Sequence, residues 1–135
     1  LRPRLKLRLR DLHTIRQDCA QRAPEEACGL LIAATETEEP HVFPCANITD
    51  HDKSNHFELD PKAHFDALHR FGRARIIGFY HSHPQGPCRP SAEDLRQAND
   101  PHMLWMIVTP TEEAAFCYDA KKHCFHPISL QVTIE

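Results

Sequence analysis

His81 and His83 stand one residue apart at the end of an apolar run, within the stretch GFYHSHPQGPCRPSAEDL, Gly78 to Leu95. On a β-strand, residues i and i+2 share a face, so both imidazoles would point the same way and Ser82 the other. Two neutral imidazoles and a carboxylate suit Zn²⁺, and a catalytic zinc keeps its fourth position open. The missing ligand should be Asp, Glu, His or Cys. Asp94 is the best placed, because the intervening loop holds Pro84, Gly86, Pro87 and Pro90 and can turn the chain back. A structural account of the same residues exists. Ser91-Ala92-Glu93-Asp94 has the S-x-x-D pattern of a capping box, with Ser91 as N-cap and Asp94 at N3. A carboxylate spent on a metal is expected to give up part of that cap. Histidine is abundant, 11 of 135 residues, so the pair alone does not make a site. The full string, H-S-H-P, a loop and P-S-x-x-D, is far more specific.

The surrounding elements follow from hydrophobic spacing. RLKLRL reads as a strand with one charged face, and Asp11–Ala23 as a helix stopped by Pro24. ACGLLIAA is a continuous apolar run of strand length, expected to be buried. HVFPCANI and HFELD are weaker strand candidates, the first marked by Pro44 as an edge or bulge. PKAHFDALHRF opens with Pro61 and reads as a helix. ARIIGFYHSH is a central strand, and SAEDLRQA a short helix. MLWMIVTP, AAFCYD and CFHPISLQVTI are late strands, the last two joined by a turn near Asp119–Lys122. Interleaved strands and helices give an α/β or α+β class with a central mixed sheet flanked by helices.

The length fits one domain, residues 1–135, large enough for a real core. A net charge of −3 argues against nucleic acid as the main partner. No segment is long or apolar enough to span a membrane. Six cysteines without a C-x-x-C pair suggest reduced thiols. With no signal peptide in view, a cytoplasmic location is expected. Asn47-Ile48-Thr49 fits a glycosylation sequon, which carries little weight in that setting.

The site string resembles the JAMM (MPN-plus) metalloprotease family, whose motif is H-x-H, ten residues, then Asp, with a Ser three before the Asp. Pro84 to Glu93 supply the ten, and Ser91 stands three before Asp94. The family's upstream E-x-C-G is matched by Glu26-Ala27-Cys28-Gly29, whereas Glu25 is out of register. FELDPKAHFDAL is similar to the F-x-[ILV]-D-P segment of bacterial members. The resemblance implies an MPN/JAMM fold with a cytidine-deaminase-like core. It implies one catalytic Zn²⁺ on His81, His83 and Asp94. Glu26 would be the general base that moves a proton from water to the leaving amine, and Ser91 a donor to the oxyanion. Read without the family, Glu26 is a surface carboxylate between a helix and a strand.

The resemblance also implies a zinc-dependent peptidase or isopeptidase, cutting after the C-terminal Gly-Gly of a ubiquitin-like β-grasp protein. Only Leu95 to His102 separates Asp94 from the next strand, leaving no room for the insertion of eukaryotic relatives. That favours the short bacterial type and a sulfur-carrier substrate. The alternative is a non-catalytic MPN-type scaffold that binds a ubiquitin-like partner, which the retained ligand set disfavours. A zinc deaminase would need H-x-E and P-C-x-x-C, and neither Pro44-Cys45 nor Pro87-Cys88 continues to a second Cys. The oligomeric state, a homodimer being one option, is left open. CYDAKKHCFH gathers Cys117, His123, Cys124 and His126; a structural zinc is one reading, but no ligand pair has finger-like spacing, and a hairpin with exposed histidines is preferred. Cys88 is expected to be a loop thiol without a role, and Cys28 to pack beneath the site.

Overall fold

The computed structural model describes residues 3–33, 39–71 and 76–134. In chain order the elements are β1 (Arg4–Arg8), α1 (Leu9–Arg22), β2 (Cys28–Ile32), β3 (His41–Cys45), α2 (Pro61–Phe71), β4 (Ile76–Ser82), α3 (Ala92–Gln97), β5 (Leu104–Val108), β6 (Glu113–Asp119) and β7 (Cys124–Thr133). The strands form one seven-stranded sheet in the order β1-β7-β6-β5-β4-β2-β3. The β4–β5 and β1–β7 pairs are parallel and the others antiparallel, so the sheet is mixed and the class α+β.

Burial on both faces explains why β2 reads as an unbroken apolar run. Leu12 and Ile15 of α1 pack on one face with Leu5, Leu7, Leu31, Tyr80, Met106 and Val108. On the other face, Phe57, Trp105, Ile107 and Phe116 form a second cluster with Cys28, and Ala67 of α2 packs with Leu30 and Ile32 in a third. Each fully buried Leu or Ile contributes about 1.5–3 kcal/mol relative to an exposed one. Tyr80 crosses to the helix layer, where its hydroxyl donates to Asp18 at 2.7 Å.

Among the described residues the expected elements form, HFELD excepted, with two differences at their margins; Ala34, Ala74 and Arg75, at the ends of two expected strands, lie outside the described residues. Leu9 opens α1 instead of continuing β1's alternation, because Leu5 and Leu7 already fill the face under the helix. HVFPCANI is a strand only to Cys45, on the sheet edge, where the missing N–H of Pro44 is tolerated. HFELD is not a strand. Leu59 makes one isolated bridge to Asn47, and Phe57 leaves the extended path to enter the core. Among the described residues, no helix is long and apolar enough to cross a membrane. All six cysteines are free thiols.

Two glycines permit close approach between strands. A Cβ on Gly29 would meet the Tyr80 ring, and one on Gly78 would meet the backbone carbonyl of Leu104. A ring can tilt, but a carbonyl in the β4–β5 ladder cannot move without breaking the pairing. Gly78→Ala should therefore destabilise the fold by about 1–3 kcal/mol, read as a lowered midpoint in urea with an unchanged slope.

Candidate metal centre and active site

β4 carries the histidines to the end of a central strand. Its alternation points Tyr80 and Ser82 toward α1, and Phe79 and His81 toward the opposite face. His83 lies one residue past the strand, and its N–H donates to Val108 O at 2.8 Å, prolonging the β4–β5 pairing. The chain then turns tightly. Gly86 N–H donates to His83 O at 2.9 Å, and Gly86 takes φ +67°, a left-handed conformation open to glycine. This turn places Pro87 O 2.8 Å from His83 Nδ1. In the neutral ring this bond keeps the proton on Nδ1 and would leave the Nε2 lone pair for an ion, the arrangement that orients a ligating histidine.

Asp94, in the first turn of α3, closes the group. Its Oδ2 lies 3.2 Å from His81 Nε2 and 3.1 Å from His83 Nε2, and the two nitrogens are 3.1 Å apart. A tetrahedral zinc with bonds of about 2.0–2.1 Å spaces its donors by roughly 3.3 Å, so the trio fits that ion. The capping box is also complete. Asp94 N–H donates to Ser91 Oγ at 3.0 Å, and Ser91 N–H donates to Asp94 Oδ2 at 2.9 Å. One carboxylate has about four lone-pair positions, and the box holds Oδ2 against the imidazoles.

Glu26 enters from the N-terminal side of β2 and is buried. One carboxylate oxygen of Glu26 and one nitrogen each of His81 and His83 lie within 4.8 Å of one another. Glu26 Oε1 has no hydrogen-bond partner among the described residues, although it is shielded from solvent. Two carboxylates thus flank one histidine pair, Asp94 in contact and Glu26 standing off. Burial pushes the Glu26 carboxyl up to about 8, with the His83 charge drawing it down and the Asp94 charge adding to the rise. Burial also opposes ionisation of Asp94, but hydrogen bonds from His81 and His83 outweigh it and hold that carboxyl well below its ordinary range. His81, wholly enclosed, is lowered by desolvation despite Asp94. His83 is less enclosed, and its bonds to Asp94 and Pro87 overcome desolvation and raise it.

Comparison with known proteins identifies the family and the fold. The profile of the family described as prokaryotic homologs of the JAB domain matches residues 9–120. The chain belongs to this family. A curated relative from Haloferax volcanii, named desampylase, is 31% identical over 98 residues, covering 70% of each chain. A second, from Thermus thermophilus, is named a probable TtuB-protein conjugate cleaving protease; it is 33% identical over 89 residues, covering 64% of this chain and 58% of that one. The solution structure of protein DSY2949 from Desulfitobacterium hafniense superposes with a TM-score of 0.82 at 27% identity, over 97% of this chain and 94% of that one. A JAB1/MPN domain protein from Archaeoglobus fulgidus has a TM-score of 0.61 at 20% identity, over 97% of this chain and all of the other, and shares the fold.

This JAB-domain chain uses several residues at the site that motif spacing does not single out. Ser82 Oγ accepts from Ala27 N–H at 2.8 Å, fixing the residue after Glu26 to β4. Phe57 stacks on the His81 ring, with centroids 4.3 Å apart and planes 18° apart. Asn47, noted only as a sequon, is buried with its whole amide engaged. Its Nδ2 donates to Glu26 O and His56 O, each at 3.0 Å, and its Oδ1 accepts from Thr49 N–H and Glu58 N–H. The side chain staples the loop carrying Phe57 to the backbone of Glu26. Cys88 donates to Ile107 O at 3.4 Å, and Cys28 is buried beneath the site.

Asn47→Ala should leave several buried groups unpaired and destabilise the chain by on the order of 3 kcal/mol. Equilibrium unfolding checks the loss, and faster hydrogen exchange at Glu58 N–H than in the wild type localises it.

Proposed function

We propose that this chain is a zinc-dependent hydrolase, one JAMM domain, that cleaves a peptide or isopeptide bond after the C-terminal Gly-Gly of a ubiquitin-like or sulfur-carrier protein. The observation that carries the reading is the convergence of three donor atoms from His81, His83 and Asp94 beside a buried, unpartnered Glu26 oxygen. The names of the two curated relatives, one a protease that cleaves protein conjugates, support the choice of reaction.

His81, His83 and Asp94 would hold the ion. Bound there, zinc would acidify the attacking water, polarise the scissile carbonyl and favour the ionised form of Glu26. Glu26 Oε1, free of other hydrogen bonds, receives the proton of the attacking water and returns it to the departing nitrogen. A basicity tuned by burial toward neutrality serves both transfers. Ser91 Oγ accepts from Asp94 N–H, so its own hydrogen is free to donate to the developing oxyanion. Ser91 is exposed, which lets a substrate reach it.

Two carboxylates beside one histidine pair make the division of labour testable. Asp94→Asn and His83→Ala should each release the ion, measured as zinc content. Glu26→Gln should retain it and lose cleavage of a ubiquitin-like protein extended beyond Gly-Gly by about two to four orders of magnitude. Zinc lost from Glu26→Gln but kept by Asp94→Asn would reverse the roles, and full activity in Glu26→Gln would remove the base.

A further inference from the structure

The hairpin that the sequence marks as carrying exposed histidines brings a second donor set together, on strands separated from β4 by β5. β6 and β7 pair with Asp119 opposite Cys124 and Cys117 opposite His126. With a period of two on each strand, these residues project from one face of the hairpin. Three of them converge. His126 Nε2 lies 3.0 Å from Asp119 Oδ2 and 3.7 Å from Cys124 Sγ, and all three atoms fall within 4.8 Å of one another.

The spacing suits a tetrahedral ion. With bonds of about 2.3 Å to sulfur and 2.0–2.1 Å to nitrogen, the S···N edge is roughly 3.5 Å and the N···O edge roughly 3.3 Å. The turn preorganises the carboxylate. Asp119 Oδ1 accepts from Lys121 N–H and Lys122 N–H at 3.0 and 3.1 Å, leaving Oδ2 to face His126. His123, at φ 49°, completes the reversal, and its Nδ1 is bonded to Tyr118 OH at 2.6 Å, which roots the turn in the core. Asp119 and Cys124 are half-buried and His126 is exposed, so an ion has a path to the group. The neighbouring ammonium groups of Lys121 and Lys122 are exposed and solvated.

We propose that Asp119, Cys124 and His126 form a second transition-metal site of the zinc class at the β6–β7 turn, with one coordination position open to solvent. Binding displaces the thiol proton of Cys124 to solvent, shifts the His126 proton from Nε2 to Nδ1, and replaces the Asp119–His126 hydrogen bond with a metal bond to each. The donor set then carries a carboxylate and a thiolate, matching a divalent cation. The site is independent of the hydrolytic reading, since it shares no residue with it.

Co²⁺ distinguishes the two centres, because a thiolate ligand gives a near-ultraviolet sulfur-to-cobalt charge-transfer band and the His81–His83–Asp94 group contains no sulfur. Chelator-stripped protein titrated with Co²⁺ should develop that band. Cys124→Ser should abolish it, while Cys88→Ser and His83→Ala should keep it. His126→Ala should weaken Co²⁺ binding at the band at least tenfold. Absence of the band at saturating Co²⁺, its survival in Cys124→Ser, or unchanged affinity in His126→Ala would each overturn the proposal.

Discussion

One buried oxygen, Oδ2 of Asp94, ties the helix α3 to the end of β4. It accepts the Ser91 N–H that closes the cap, and it faces both imidazole nitrogens. Everything between His83 and Asp94 serves that convergence. The left-handed Gly86 lets the chain reverse, the reversal presents Pro87 O to His83 Nδ1, and Ser91 starts the helix in the register that directs Asp94 inward. Cap and candidate ligand set are therefore one construction, and the strength of the first determines the geometry of the second.

The site departs from the rule that buried polar groups are paired. Glu26 Oε1 and His81 Nδ1 are enclosed without partners among the described residues. The fold sustains this by bonding everything around them. Glu26 has its N–H on Lys53 O at 2.7 Å and its carbonyl on Asn47, and the next residue is held by Ser82. His81 is clamped by Phe57 on one face and by Trp105 at 5.7 Å edge-on. Backbone satisfied and side chain unsatisfied is the pattern expected where local consistency yields to chemistry. It also explains why a loop with little regular structure, between β3 and α2, is pinned so thoroughly by a single amide.

The sheet separates two chemistries by strand order and by face. The β4 histidines lie on the face covered by Phe57 and α3, and Asp119, Cys124 and His126 lie on the opposite one, beyond the helix layer. β7 makes the second group possible by being long. Its first half pairs with β6 and its second half with β1, so its beginning extends past the α1-covered core into the open.

Much of this was legible in the sequence. The apolar run before His81 located β4, the Pro-rich loop and S-x-x-D located α3, and strand periodicity put His81 and His83 on one side. These are short-range consequences of backbone geometry, which spacing encodes. Glu26 was legible only through its resemblance to a family pattern, since nothing within its own segment distinguishes it from Glu25. Asn47, Phe57 and Ser82 were not legible, and HFELD was misread as a strand. Their partners lie 9 to 55 positions away in the chain, and the ring of His81 is brought over Phe57 only by the sheet. The sequence by itself determined the elements, the cap and the histidine pair, because those depend on neighbours a few residues apart. Only the tertiary structure decided which carboxylate touches the imidazoles, which stands off, and which amide holds them there, because those contacts depend on strand order and register.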